Sequence, residues 1–319
     1  MAEGLEIRKH ADSLTGVEQC FPLGTKIEVK DIVFATGGGG TNTAVTFARQ
    51  GFKTACLGVI GDDIVGKEIL IELAHEGIET KFFQKHRDDF TAYSVILVNP
   101  SAERTILSYK GEGQHFDIKK VAFDKLRAKW FYLDSLGGHY DLLEALVGHA
   151  VKNKIKIAFN PGGKELAHGW DRLAPILKNI DVYITNKEEG SQLTGVEAGD
   201  QKMILDKLQA AVKEIVIVSD GHNGVRVRDG QSEYSAGVPD SPIVERTGAG
   251  DAFGSGFVAE YIRSSGLEAG SREREAAIAK SIQFATANAS SVVTQFGAKA
   301  GILKKGDWGP WPLVEVRMS

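Results

Sequence analysis

The sequence predicts an α/β fold, in which helices cover both faces of a mainly parallel β-sheet and a small β-sheet forms a lid. From Lys53 onward, short apolar runs typical of buried strands alternate with amphipathic helical segments. Two stretches, 17–35 and 80–110, carry strand-like patterns with no helix between them. The alternation favours a three-layer α/β/α sandwich. The two exceptions favour lid strands that are inserted into a single domain spanning residues 1–319.

The individual elements follow from the period of the apolar residues. Strands are expected at 54–60, 129–134, 154–160, 181–185 and 214–220, and helices at 43–49, 64–78, 141–153, 201–212, 251–265 and about 274–293. In the lid stretches, strand-like patterns occupy 26–35, 81–85, 92–99 and 104–110. Phe253, Phe257 and Tyr261 lie on one helical stripe, which predicts that a helix begins near Asp251.

The composition is that of a soluble globular protein with a large core. The chain has 319 residues, of which 42% are hydrophobic and 25% charged. A net charge of -4 with mixed signs argues against nucleic acid or an anionic membrane as the main partner. No apolar run approaches the ~20 residues of a membrane helix, and MAEGLEIRKHADS lacks the apolar segment of a secretory signal. With only Cys20 and Cys56, a reduced, cytoplasmic setting is expected.

The stretch ERTGAGDAFGSGF (245–257) places one carboxylate, Asp251, behind a glycine-rich turn. The start of a helix offers free N–H groups and a partial positive charge, which attract an anion such as phosphate. A carboxylate repels that anion, so we expect Asp251 to have a chemical role there. Taken alone, the turn is equally well explained by close packing against a neighbouring strand.

Three further motifs follow apolar segments or open helices. In GGGGTNTA (37–44), glycines allow close backbone approach, and Asn42 supplies the donor and acceptor that a polyol requires. NKEE (186–189) and SDGHNG (219–224) follow apolar strands, at the edge where open α/β sheets bind ligands. Each of the three also has a simpler explanation as a helix cap or a turn.

Two motifs are weaker than they first look. GDDIVGKE (61–68) nearly matches a phosphate-binding P-loop, but Glu68 replaces the hydroxyl residue and Asp62 and Asp63 would repel phosphate. We therefore predict a turn that caps a helix. GAGDAFG has the spacing GxGxxxG, which departs from the dinucleotide fingerprint and disfavours a dehydrogenase.

The longer signatures resemble those of a known family. GGGGTNTAVTFARQGFKTACLGVIGDDIVG and RTGAGDAFGSGF are similar to the two signatures of the ribokinase-like (PfkB) carbohydrate kinases. NPSAERTIL, FNPG, NKEE and SDGHNG lie between them in the family's order, and the resemblance runs from about Gly24 to Gly301. It implies ATP- and Mg²⁺-dependent phosphoryl transfer to the hydroxymethyl group of a sugar. The alternatives are a nucleoside kinase of the same fold and a ligand-binding pseudokinase with weak turnover.

The resemblance also implies roles for individual residues. Asp251 would accept the proton of the substrate hydroxyl, and the N–H groups of Gly248, Ala249 and Gly250 would form an anion hole. The sugar pocket would contain Gly37, Gly38, Gly39, Asn42 and Asp134. The nucleotide would lie against Asn186, Ser219, Gly221 and Gly224, and Glu189 would act on Mg²⁺ through water. Such a loose transition state requires mainly positioning and charge neutralisation.

The sequence departs from the family pattern in three places. The family usually opens with an apolar strand ending in a sugar-binding aspartate, whereas this chain opens with MAEGLEIRKHADS. A missing strand or a truncated start predicts weak activity and modest stability. Gly39 stands where ribokinases carry lysine, which argues against ribose itself. Glu245-Arg246 replaces the Asp-Thr that helps ribokinases bind a monovalent cation, so potassium activation is left open. A homodimer through the lid is also expected, because an open lid exposes an apolar face.

Overall fold

The computed structural model describes residues 6–10, 17–87, 90–98, 104–111, 116–264 and 266–319. In chain order, the strands are β1 (Glu6–Lys9), β2 (Val17–Cys20), β3 (Val59–Gly61), β4 (Gln84–His86), β5 (Tyr93–Val98), β6 (Arg104–Tyr109), β7 (Trp130–Leu133), β8 (Lys156–Phe159), β9 (Val182–Asn186), β10 (Ile215–Ser219), β11 (Val225–Asp229), β12 (Ser232–Ala236) and β13 (Val316–Met318). The helices are α1 (Gly39–Arg49), α2 (Ile64–His75), α3 (Tyr140–Lys152), α4 (Gly163–Leu166), α5 (Trp170–Leu177), α6 (Lys187–Thr194), α7 (Gln201–Gln209), α8 (Ala249–Arg263) and α9 (Arg272–Val292).

Seven strands form the central sheet, in the order β13-β12-β11-β10-β9-β8-β7. β7 to β10 pair in parallel, and β11, β12 and β13 continue the sheet by antiparallel pairing. Five of the seven strands therefore point in one direction, which confirms the expected mainly parallel sheet. The carboxyl ends of β7 to β10 consequently lie along one edge.

Helices cover both faces of this sheet, and the strand residues alternate between the two layers. Tyr183 and Val216 point into a core with α3, α5 and α7, whereas Ile184 and Ile217 point into a core with α8 and α9. All four side chains are almost fully buried. Packing on both faces explains why β9 and β10 read as continuous apolar runs, and it makes their carboxyl ends a firm platform.

The predicted main-sheet strand at 54–60 is wrong. Only Val59–Gly61 forms a strand, β3, and it pairs in parallel with β4 outside the seven-stranded sheet. Before β3, Ala55 forms an isolated parallel bridge with Glu79. An apolar run reports burial but does not identify the partner strand, which explains the error.

The lid stretches are only partly as expected. β1 pairs with β2 and β5 with β6, each as a two-stranded antiparallel sheet. By contrast, 26–35 forms no strand, although its residues alternate, and Phe34 there is 78% exposed. The segment 81–85 contributes to β4, which pairs with β3 and not with another lid strand. Residues 99–103 of NPSAERTIL and the last residue of the helix expected at 251–265 lie outside the described residues.

The two hairpins expose apolar side chains on the surface of the molecule. Tyr93, Leu107 and Tyr109 are about half exposed, and Thr105 Oγ1 of β6 donates to Gln19 Oε1 of β2 at 3.4 Å. A dimer through this surface stays a prediction, as does movement of the hairpins as a lid. Among the described residues, no helix has both the length and the apolar character needed to cross a membrane.

Candidate active site

The first turns of α1 and α8 meet beside the carboxyl end of β7. Asn42 lies in the first turn of α1 and Asp251 in the first turn of α8. Asn42 Nδ2 donates to Asp251 Oδ2 at 2.7 Å. Because the first N–H groups of a helix have no partner within the helix, two sets of donors and two partial positive charges surround this one carboxylate.

The glycine turn before α8 is fixed by close packing. Gly248 has φ 82°, and a side chain there would place its Cβ 2.5 Å from Ala298 Cβ, so only glycine fits. A Cβ on Gly250 would meet no described heavy atom within 4 Å. Ala249 N–H donates to Arg246 O at 3.3 Å. Gly250 therefore faces open space, and Ala249 must give up a long hydrogen bond before it can bind an anion.

Asp134 follows β7 and fills the space beside Gly39. A side chain on Gly39 would place its Cβ 2.3 Å from Asp134 Oδ1, which accounts for glycine at this position. Burial, followed by the charge of Asp251, raises the pKa of Asp134 to about 7. Its Oδ2 is buried and has no hydrogen-bond partner among the described residues. Asp134 thus has one carboxyl oxygen in the interior that no described residue satisfies.

The two carboxylates differ in what surrounds them. Burial raises the pKa of Asp251, but the hydrogen bond from Asn42 and the charge of Lys299 lower it. Asp134 receives an N–H from Ser135 at 2.6 Å, yet Asp251 itself disfavours its ionisation. The two carboxyl groups therefore titrate as a pair, in which the charge of Asp251 disfavours ionisation of Asp134, while Asn42 and Lys299 favour an ionised Asp251.

Tyr132 belongs to this site but was missed by the sequence analysis. Its hydroxyl is buried without a partner among the described residues, and a Cβ on Gly254 of α8 would lie 2.5 Å from it. The ring packs on Phe47 of α1, with ring centroids 5.6 Å apart. Tyr132 lies in β7 and Asp134 directly follows the strand, two positions later. Because side chains of a strand alternate between its two faces, this spacing would have placed both residues on the same face.

Glu165 fixes the loop that carries Asp134, and it was also missed. The side chain is 1% exposed and accepts N–H groups from Leu136 at 2.9 Å and Gly162 at 3.0 Å. It also accepts the hydroxyl of Ser135 at 3.1 Å. The signal in the sequence was a glutamate three residues after the glycine of FNPG, in the first turn of α4.

Asn186 and Ser219 lie side by side at the carboxyl edge of the sheet, where they are register partners in β9 and β10. Asn186 Oδ1 accepts the N–H of Glu189 at 2.8 Å, and Glu189 Oε2 accepts the N–H of Asn186 at 3.1 Å. This reciprocal pair is a capping box at the start of α6. Burial raises the pKa of Glu189. NKEE thus caps a helix, and its expected roles toward nucleotide and Mg²⁺ stay predictions.

A cavity of about 970 Å³ lies beyond the turn SDGHNG. Gly224 lines it, whereas Asn186, Ser219 and Gly221 do not. Its walls are residues 199–202, 220, 223–226, 235–240, 312–315 and 317. The C-terminal segment 312–317, which the sequence analysis did not consider, is therefore one wall of the cavity.

The P-loop-like stretch GDDIVGKE caps α2, as predicted. Asp63 Oδ1 accepts the N–H of Gly66 at 2.7 Å, and Asp63 Oδ2 accepts the N–H of Thr91 at 2.7 Å. Both carboxylate oxygens are therefore used in holding the helix start and residue 91.

A family model described as pfkB family carbohydrate kinase matches residues 13–305. The chain belongs to this family. This pfkB kinase is accordingly a phosphotransferase with an alcohol group as acceptor, among the kinases of sugars and nucleosides.

Individual relatives agree with this assignment. A ribokinase of Haemophilus influenzae is 28% identical over 306 residues, which is 92% of this chain and 92% of that protein. A cytidine kinase of Thermococcus kodakarensis is 32% identical over 161 residues, covering 50% of this chain and 56% of that protein. The crystal structure of a putative ribokinase II from E. coli in complex with ATP and Mg²⁺ matches with a TM-score of 0.73 and 18% identity, covering 88% and 89% of the two chains. The structural match confirms the ribokinase-like fold.

The pKa of Asp134 predicts how stability depends on pH. Its pKa is raised in the folded protein, so folding favours the protonated form, and this contribution to stability is lost as the pH rises from about 4 to about 7. Urea unfolding of the wild type and of Asp134→Asn at several pH values checks this. In Asp134→Asn, the free energy of unfolding should not show the decrease between about pH 4 and about pH 7 that Asp134 causes. Glu144→Gln, an exposed control in α3, should show the same decrease as the wild type. If the free energy of unfolding depends on pH in the same way in all three proteins, Asp134 does not have a raised pKa in the folded state.

Proposed function

We propose that this protein transfers the terminal phosphoryl group of ATP to the hydroxymethyl group of a neutral sugar, with Asp251 as the base. The observation that carries the proposal is the 2.7 Å hydrogen bond from Asn42 to Asp251 at the meeting of two helix N-termini. It orients a buried carboxylate beside the first backbone N–H groups of two helices. A base and an anion site in one place are what phosphoryl transfer to an alcohol requires.

The proposed reaction proceeds in one displacement. The acceptor hydroxyl donates its hydrogen bond to Asp251, and its oxygen forms a bond to the γ-phosphorus. The bond from phosphorus to the β,γ-bridging oxygen breaks, ADP leaves with that electron pair, and the hydroxyl proton passes to Asp251. The N–H groups of Gly248 and Gly250 would neutralise charge on the transferring oxygens, since charge is spread over them in the transition state.

Charge on the acceptor side favours a neutral polyol. Asp134 and Asp251 are both buried carboxyl groups on this side, so they would repel an acceptor that carries phosphate or carboxylate beside the reacting group. Asn42 Oδ1 and Asp134 Oδ2 are buried without partners among the described residues. Hydroxyl groups of a sugar would satisfy both atoms.

A nucleoside is the second candidate acceptor. The similarity to a cytidine kinase supports it, but that similarity covers 50% of the chain. The similarity to a ribokinase covers 92%, and this wider coverage puts a sugar first. An intact Asp251 argues against the alternative of a pseudokinase. Measuring ADP release with pentoses, hexoses, hexose phosphates and nucleosides separates these acceptor classes.

ATP with Mg²⁺ is the proposed donor. The E. coli neighbour was crystallised with both, and in this chain the cavity beside Gly224 has room for a nucleotide base and ribose. Glu189 supplies a carboxylate at the sheet edge, and carboxylates suit a hydrated Mg²⁺ ion. When bound, Mg²⁺ would neutralise charge on the phosphates.

We also propose a monovalent cation next to the glycine turn. Glu245 is 6% exposed, and its Oε2 accepts the N–H of Gly297 at 3.0 Å. Glu245 Oε1 and Thr247 Oγ1 are buried without hydrogen-bond partners among the described residues. A buried carboxylate oxygen with no partner fits a cation, because leaving it unpaired is costly. Glutamate at this position is therefore compatible with the role that aspartate has in ribokinases.

The first test replaces the proposed base. Asp251→Asn nearly preserves shape but cannot accept the proton, so kcat should fall by about 10²-fold or more while affinity for ATP changes little. Asp62→Asn, an exposed aspartate before α2, is the matched control and should keep wild-type kcat. Wild-type turnover in Asp251→Asn would rule out Asp251 as the base.

The second test addresses the cation. Turnover of the wild type should be several-fold higher in potassium chloride than in tetramethylammonium chloride at equal ionic strength. In Glu245→Gln, half-maximal activation should require more potassium, because the ion has lost a charged ligand. Glu268→Gln, an exposed control, should respond like the wild type. Equal rates in the two salts would refute a monovalent-cation requirement.

A further inference from the structure

Lys299 is buried behind both glycine turns, although no motif pointed to it. Its side chain is 5% exposed. Its Nζ contacts Thr36 Oγ1 and lies 3.7 Å from Glu72 Oε1 of α2. Thr36 Oγ1 also donates to Glu72 Oε2 at 2.6 Å. Lysine is rarely buried unless it is paired, so this three-residue cluster marks a charge that the fold retains in its interior.

The cluster joins the two turns that form the site. Thr36 immediately precedes Gly37, the first residue of the turn that opens α1. On the other side, Ala298 packs against Gly248, the last residue before α8. Lys299 follows Ala298 directly. Its backbone is therefore next to the residue that packs on the turn before α8, and its side chain contacts Thr36 just before the turn that opens α1. A change at Lys299 is therefore transmitted to both.

The backbone of Lys299 is held as firmly as its side chain. Arg49, the last residue of α1, donates from Nη1 to Lys299 O at 2.8 Å and to Ile302 O at 3.0 Å. The same guanidinium pairs with Glu76, the residue after α2, with Nη2 and Oε1 2.6 Å apart. The ammonium group thus has a defined position relative to α1 and α2.

Charged and titratable groups face Lys299 from three elements. They are Glu72 of α2 with Glu76 just after it, Cys56 in the segment before β3, and Asp251 of α8. Burial lowers the pKa of Lys299, and the charge of Glu72 opposes this. Burial raises the pKa of the Cys56 thiol to about 12, so Cys56 is neutral at physiological pH. The carboxylates therefore support a protonated Lys299.

Lys299 acts in turn on Asp251. Burial raises the pKa of that carboxyl group, and the hydrogen bond from the neutral Asn42 and then the charge of Lys299 oppose the rise. We propose that Lys299 is a positioning residue, a built-in cation that holds the two glycine turns together and places a positive charge behind Asp251. This inference rests on the proposed role of Asp251. Because the charge is part of the chain, it is present whether or not a dissolved cation binds.

The pH profile of kcat/KM tests the charge effect. Lys299→Met and Lys299→Gln remove the charge, so Asp251 should ionise at higher pH and the acid limb of the profile should move up by about 0.5–1 pH unit. Lys299→Arg should keep the limb in place, and so should Lys304→Met, an exposed control in the same loop. A purely structural role predicts lower activity at every pH with the limb unmoved, and that result would overturn the proposal.

A second readout does not depend on turnover. Urea midpoints at pH 8 are compared for wild type, Lys299→Met, Asp251→Asn and the double variant. Lys299→Met should lower the midpoint less in the Asp251→Asn background, because no buried carboxylate is then left uncompensated. Additive midpoints would overturn the electrostatic link. If Lys299→Met does not fold, Lys299→Gln, which can still hydrogen-bond Thr36, takes its place in the cycle.

The outcomes separate this inference from the proposed function. Suppose that Asp251→Asn abolishes turnover, but the Lys299 variants leave the acid limb unmoved and the urea midpoints are additive. The inference about Lys299 is then wrong, while the proposed function stands. If Asp251→Asn remains fully active while the midpoints are coupled, the proposed base is wrong but Lys299 still compensates a buried carboxylate.

Discussion

The hydrogen bond between Asn42 and Asp251 joins two helices through residues that are 209 positions apart in the chain. It places a carboxylate in the interior, where a charge is costly unless donors and positive charge surround it. Here those are supplied by the amide of Asn42, by the N-terminal ends of α1 and α8, and by Lys299. The site therefore depends on a fold that brings Asn42, the starts of α1 and α8, and Lys299 close to Asp251.

The central sheet provides the frame for this arrangement. β7 to β10 end along one edge, and their tight packing between two helical layers leaves little freedom at that edge. Asp134 directly follows β7, and Glu165 accepts hydrogen bonds from the loop after Asp134. Gly39 then allows the start of α1 to approach the Asp134 carboxyl group closely. A firm platform and a small residue at one contact therefore set the geometry of the acceptor side.

Much of this could be read from the sequence, because it rests on local patterns. The helices follow from apolar period, β8 to β10 from runs of buried residues, and the turn before α8 from its glycines. The capping role of Asp63 also follows locally, from residue type and spacing. What failed depends on partners distant in the chain. The strand expected at 54–60 pairs with β4 and not with the main sheet. The antiparallel strands β11 to β13 were not predicted, although Asp229-Gly230 at the β11–β12 turn is a local hairpin signal.

The same distinction applies within the site. Asp251 and Asn42 could be singled out because each stands next to a glycine turn. Tyr132 and Glu165 carry only a local signal and Lys299 carries none, and only the fold reveals that they are buried and what they contact. Burial of a polar group is a tertiary property, so a single sequence does not report it.

The most direct test of the account is a crystal structure with ADP and an accepted sugar, and the quantity to measure is the distance from the reacting hydroxymethyl oxygen to the carboxylate of Asp251. We expect about 3 Å, a hydrogen-bond distance, because a base must contact the proton that it accepts. A hydroxymethyl oxygen that contacts Asp134 or another carboxylate, and lies beyond the reach of Asp251 even through one water molecule, would contradict the central claim.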